Sequence, residues 1–84
     1  MDQTITGQAR FATPVRVAFR PGGAAREISN PREAFDYLRN CPVQEGPVFE
    51  SALEACFVAT YDTSCVEEAR KGLRTFARAY RLLA

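Results

Sequence analysis

The feature that most constrains the fold is a nearly continuous apolar segment at residues 47–61, with the sequence PVFESALEACFVATY. Its only charged residues are Glu50 and Glu54, which stand four positions apart. On a helix this spacing places both carboxylates on one narrow strip. A helix that is apolar on all its other sides is typical of a protein core. The segment is shorter than the roughly 20 apolar residues that a bilayer requires, so we expect a central core helix.

A β-hairpin is predicted before this segment. Apolar or small residues occupy the odd positions from 11 to 19, whereas arginines occupy even positions. Such alternation predicts a strand with one buried face. The segment RPGG at 20–23 predicts a type II turn in which Gly22 takes a positive φ, and residues 25–29 then return as the second strand. The glycines lack the spacing of a phosphate-binding loop.

Two further helices flank the core helix in sequence. Asn30, Pro31 and Glu33 predict a capping-box start for the first, which Pro42 ends. Ser64 and Glu67 predict a second capping box for a last helix that runs to near residue 84. The apolar face expected on the first of these helices comprises Ala34, Phe35, Leu38 and Cys41, and that on the last comprises Val66, Ala69, Leu73, Phe76, Ala77, Tyr80 and Leu83.

The order strand, strand, helix, helix, helix predicts a single α+β domain, because the strands are adjacent and do not alternate with helices. We expect this ββααα domain to span residues 10–84, after a flexible N-terminal segment at residues 1–9. The expected core contains Phe49, Leu53, Cys56, Phe57, Leu73, Phe76 and Tyr80.

Several short motifs follow one another in a recognisable order. They are FATPVRV at residues 11–17, Ile28-Ser29 before Glu33-Ala34 and Leu38, Cys41-Pro42 before Gly46, Ala52 and Cys56 on the core helix, and Glu68-Ala69-Arg70 before Phe76 and Ala77. Together they resemble a family of short bacterial proteins known as domain of unknown function 982. Cys41 stands where that family favours a tryptophan. The resemblance implies a fold, but no catalytic residue and no cofactor.

Catalytic chemistry is not indicated by the residue types present. The chain has no histidine, which excludes the commonest general base, a Cys–His pair and any His-ligated metal. Cys41, Cys56 and Cys65 lack metal-ligand spacing, and we interpret them as structural thiols that stay reduced in the cytoplasm. Glu50 and Glu54 offer paired carboxylates for acid–base work or a hard cation, but we interpret them as the solvated strip of a buried helix, because no base, nucleophile or phosphate-binding loop accompanies them. We therefore expect no enzyme, cofactor or metal.

Charge is distributed unevenly along the chain, although the formal net charge is only +1. Residues 31–63 hold two arginines and six acids, whereas residues 64–84 hold five basic residues and two acids. Helical spacing gathers the basic residues of the last helix into a stripe, which is either a solvated face or a binding surface. The stripe comprises Arg70, Lys71, Arg74, Arg78 and Arg81.

The preferred function is a small cytoplasmic interaction or regulatory module that presents this stripe to another protein or to a second copy of the chain. The alternative is a weak nucleic-acid-binding protein that uses the stripe together with Arg16 and Arg20. A second binding site is offered by the exposed edges of the hairpin, which invite strand addition. Two copies of the chain would pair through a hairpin edge or through their last helices. The N-terminal sequence lacks the pattern of a secretory signal, and no membrane partner is expected.

Overall fold

Two strands and three α-helices follow one another in the computed structural model, which describes residues 10–84. This order confirms the predicted ββααα, α+β architecture. The expected flexible segment at residues 1–9 lies outside the described residues. A short 3-10 helix, Thr63–Cys65, precedes the last α-helix. The elements are β1 (Val15–Val17), β2 (Arg26–Ile28), α1 (Pro31–Arg39), α2 (Pro47–Ala59) and α3 (Val66–Ala79).

The hairpin is fixed by its turn. β1 and β2 pair antiparallel, with Val15 opposite Ile28. Gly22 has a φ of 77°, and the Gly23 N–H donates to the Arg20 carbonyl at 2.9 Å, as a type II turn requires. The predicted strand at residues 11–19 is too long, because Pro14 has no N–H to donate to a ladder.

The second edge of β1 is covered by the C-terminal residues. Val17 forms an isolated antiparallel bridge with Leu83. The Ala18 N–H donates to the Leu82 carbonyl at 2.8 Å, and the Ala84 N–H donates to the Arg16 carbonyl at 2.9 Å. The β1 edge of the hairpin is therefore not open, since residues 82–84 already occupy it. Pairing of two copies through the β2 edge or through the last helices stays a prediction.

The end of α3 explains how those residues reach β1. The helix ends at Ala79, and Arg81 takes the left-handed conformation with a φ of 61°. The Leu82 N–H then donates back to the Ala77 carbonyl at 2.6 Å, which is the Schellman pattern. The prediction of a helix that includes Arg81 and Leu83 is wrong, because the chain turns there to bury Leu82.

The two predicted capping boxes differ in outcome. Asn30 accepts from the Glu33 N–H at 2.8 Å, and the Glu33 carboxylate accepts from the Ser29 N–H at 2.7 Å. The first capping box is therefore confirmed, except that the second donor is Ser29 rather than Asn30. The second capping box is wrong. Asp62, rather than Ser64, caps the 3-10 helix by accepting from the Ser64 N–H at 3.0 Å, and the N-cap of α3 makes no side-chain bond.

The core lies between the helices and the inner face of the hairpin. Phe49, Cys56, Leu73 and Phe76 are buried as predicted, whereas Leu53 and Tyr80 are only partly buried. The prediction that Phe57 is a core residue is wrong, because 51% of its surface is exposed.

Tyr37 is a core residue that the sequence pattern does not reveal. It is buried on α1, and its hydroxyl donates to the Ala18 carbonyl. Its ring lies 5.1 Å from the Phe19 ring, measured between centroids. Because a buried hydroxyl needs a partner, this bond fixes α1 against the end of β1.

Replacing Tyr37 with phenylalanine should therefore destabilise the fold. Tyr37→Phe leaves the buried Ala18 carbonyl without its donor, which costs about 1–3 kcal/mol. The matched control is Tyr61→Phe, since Tyr61 is 69% exposed and its hydroxyl can bond to water. Urea unfolding of both variants measures the effect; equal stability of Tyr37→Phe and Tyr61→Phe would show that the bond does not stabilise the fold.

Candidate functional site

Three aromatic side chains form a continuous surface across α1 and α2. The Phe57 ring centroid lies 5.6 Å from that of Phe35 and 5.6 Å from that of Tyr61. Phe57 and Tyr61 are 51% and 69% exposed, and Phe35 is partly buried. We call Phe35, Phe57 and Tyr61 the aromatic surface. Large exposed apolar groups in one patch are typical of binding sites.

The position of the aromatic surface follows from which face of α2 is buried. Ala52, Cys56 and Ala59 point into the core, so residues on the opposite side of the helix meet solvent. Phe57 lies on that side, and Tyr61 continues it just beyond the helix, where its N–H donates to the Val58 carbonyl at 3.1 Å. The ring surface thus lies on the side of α2 opposite the buried residues, which also include Phe49.

The outer strip of α2 is acidic along its first half. Glu50, Glu54, Phe57 and Tyr61 follow the spacing i, i+4, i+7 and i+11, which aligns them along one face of a helix. Both glutamates are exposed, as the sequence predicts. Asp62 extends the acidic character beyond Tyr61, and hydrogen bonds from the Ser64 hydroxyl and N–H hold the pKa of its carboxyl below the usual value.

A guanidinium group already lies on the aromatic surface. The Arg39 Cζ stands 5.6 Å from the centroid of the Phe35 ring. Arg39 is four residues after Phe35 on α1, so the two side chains are neighbours on one helical face. This arrangement is a cation–π interaction at the edge of the aromatic surface.

The predicted basic stripe on α3 is partly neutralised. The Arg70 guanidinium donates to both carboxylate oxygens of Glu67, at 2.9 and 2.5 Å. This pairing raises the pKa of Arg70 and lowers that of Glu67. Arg70 is therefore engaged within its own helix.

The other stripe residues are not all on one helix. Lys71 and Arg78 are exposed on α3, and Arg74 is partly buried there. Arg81 lies beyond the helix end in the left-handed turn, so the expected i+11 spacing is interrupted. Of the five predicted residues, three thus lie on α3 and are not paired with Glu67, namely Lys71, Arg74 and Arg78.

The three thiols occupy different environments. Cys56 is buried, and its thiol lies 3.8 Å from the Ala69 carbonyl of α3; burial raises its pKa to about 12. Burial also raises the pKa of Cys41, whose thiol faces the Tyr37 hydroxyl. Cys65 is half-buried, with its sulfur 3.6 Å from the Asp62 carboxylate. All three are free cysteines, as interpreted from their spacing.

An open groove of about 420 Å³ runs between α2 and α3 on the side away from the aromatic surface. Its floor consists of Ala52, Ala55 and Gly72, and Glu68 and Lys71 flank it. The small floor residues follow from the close approach of the two helices.

Within residues 10–84 no group of three or more Cys, Asp or Glu side chains is placed to hold a metal ion. In the same part of the chain, no helix is long and apolar enough to cross a membrane.

Fold and surface together define a small α+β domain that exposes aromatic rings beside carboxylates. Residues 13–84 match the family described as "Protein of unknown function (DUF982)", so the chain belongs to that family. The resemblance inferred from the motifs is thus confirmed. No curated protein and no solved structure matches the chain.

The aromatic surface was not identified from the sequence, although the sequence contains its signal. Once Glu50 and Glu54 are assigned to the solvent strip, their spacing extends to Phe57 and Tyr61. Phe57 is predicted as a core residue because large apolar side chains are usually buried, although its spacing from the glutamates indicates the solvent strip.

Stability should decrease in alkali because of Cys56. Its pKa rises from 9.0 to about 12 on folding, so above pH 9 the unfolded chain loses a proton that the folded chain keeps. The contribution of the neutral Cys56 thiol to the free energy of unfolding is complete below pH 9. It decreases progressively between pH 9 and pH 12, and the free energy of unfolding is lower by about 2 kcal/mol near pH 10.5.

Urea unfolding at pH 7.5 and pH 10.5 tests this linkage. The Cys56→Ala variant should lose less stability between the two pH values than the wild-type protein, whereas the Cys65→Ala control should behave as the wild type does. Identical losses for Cys56→Ala and the wild type would contradict the expectation.

Proposed function

We propose that the protein is a small, non-catalytic interaction module that binds another protein through the aromatic surface. The observation that carries this proposal is the exposure of Phe57 and Tyr61 side by side. Aromatic residues are enriched in the buried centres of protein–protein interfaces, where they contribute much of the binding energy.

The geometry favours the aromatic surface over the basic stripe as the binding site. Arg70 is held by Glu67, and Arg81 is separated from α3 by the turn. The remaining cations, Lys71, Arg74 and Arg78, are exposed or only partly buried, and surface ion pairs contribute little energy. Rings that contact one another lose less conformational freedom on binding than long basic side chains do.

The nucleic-acid alternative uses the α3 cations Lys71, Arg74 and Arg78 together with Arg16 and Arg20, which are exposed. A few phosphate contacts give weak binding that decreases steeply with salt. Binding through the aromatic surface depends on a few anchoring side chains and on shape, so variants of the two surfaces separate the two functions. We place the module in the cytoplasm, where its free thiols remain reduced.

A tagged pull-down from a lysate of the source organism, treated with nuclease, tests the proposed function. Removing two interface anchors by Phe57→Ala and Tyr61→Ala should weaken partner binding at least about 30-fold. The matched control is Arg74→Glu with Arg78→Glu, which should retain the partner. Circular dichroism of each variant shows that the fold is kept.

Two outcomes would contradict the proposal. Loss of the partner with the arginine pair but not with the aromatic pair would assign binding to α3. Recovery that disappears with nuclease would favour nucleic-acid binding.

A further inference from the structure

We infer that the aromatic surface binds an arginine-bearing segment of its partner, with guanidinium groups on the Phe57 and Tyr61 rings and at the neighbouring carboxylates. This inference rests on the proposed function and names the chemistry of the partner. Its basis is the juxtaposition of exposed rings and exposed carboxylates on one strip of α2.

The charge of the strip selects a cationic occupant. Glu50 and Glu54 precede the rings on the same face of α2, and both are exposed. Asp62 follows Tyr61 in the chain, but its carboxylate already accepts hydrogen bonds from the Ser64 N–H and hydroxyl. An anionic segment would be repelled by the two glutamates. A purely apolar segment would cover the carboxylates and remove their water without offering them a donor, which is unfavourable.

Arginine fits this surface better than lysine does. A guanidinium group is planar, stacks on aromatic faces and donates two parallel hydrogen bonds to a carboxylate. The ammonium group of lysine is a compact, strongly hydrated charge that makes neither arrangement. On the helix Glu54 and Phe57 are i, i+3 neighbours, so a single guanidinium can contact a ring and a carboxylate together.

The protein already contains one example of this recognition. Arg39 places its guanidinium over Phe35, at the α1 edge of the aromatic surface. The more exposed rings, those of Phe57 and Tyr61, contact each other edge to face at an interplanar angle of 77°, and Glu54 precedes Phe57 by one helical turn. A second guanidinium, from a partner, would continue the same pattern along the strip.

Titration of the full chain with short peptides tests the inference by nuclear magnetic resonance. The probes are a glycine–serine peptide with three arginines and the same peptide with three lysines. We expect the arginine peptide to shift the amide signals of Glu54, Phe57 and Tyr61. The lysine peptide should bind about fivefold more weakly.

Variants separate the contributions of ring and charge. Phe57→Ala and Glu54→Gln should each weaken binding of the arginine peptide, whereas Glu68→Gln, on the groove side of α3, should leave it unchanged. Raising the salt concentration should weaken the lysine peptide more than the arginine peptide, because stacking is screened less than charge pairing.

Three results would overturn the inference: equal affinity for the two peptides, signal shifts confined to other residues, or no binding of the arginine peptide at millimolar concentration. Each leaves the proposed function intact if the lysate partner is still lost with Phe57→Ala and Tyr61→Ala. Retention of that partner by the aromatic variant would instead contradict the proposed function itself.

Discussion

Where α2 and α3 cross, Gly72 faces Ala52, and a Cβ on Gly72 would make a van der Waals contact of 3.5 Å with the Ala52 Cα. Helices approach this closely only when small residues meet at the crossing. With this face turned inward, the buried residues of α2 are Phe49, Ala52, Cys56 and Ala59. The later rings, Phe57 on the helix and Tyr61 just beyond it, are left on the other side. The packing of α2 against α3 thus determines which α2 residues are in the core and which form the surface that we assign to binding.

The remaining elements are tied to this helix pair by specific contacts. The Tyr37 hydroxyl joins α1 to the end of β1, and the turn at Arg81 returns the chain so that Leu82 is buried and Leu83 meets β1. β1 is therefore held on both edges, by β2 and by the C-terminal residues. A chain of this size buries a modest core, and such ties limit the motion of a three-residue strand that would be marginal alone.

The features that could be predicted from the sequence are those set by local chemistry. The positive φ of Gly22 and the cap at Asn30 each depend on residues within one turn, and both were foreseen. Glu50 and Glu54 mark the solvent strip of α2, but the exposure of Phe57 is not set by local chemistry, because apolar residues surround the helix and the buried side depends on α3. The turn at Arg81 was missed for a related reason: a non-glycine residue enters the left-handed region there, and the burial of Leu82 and the pairing of Leu83 with β1 favour that turn.

The most direct test of the account is the free energy of unfolding of Phe57→Ala compared with that of Phe76→Ala. If Phe57 belongs to a binding surface, its removal should cost about 1 kcal/mol, since the ring is only half-buried. Phe76, which is fully buried, should cost about 3–5 kcal/mol. A loss for Phe57→Ala as large as that for Phe76→Ala would show that the ring supports the fold, and would contradict the claim that α2 presents it to a partner.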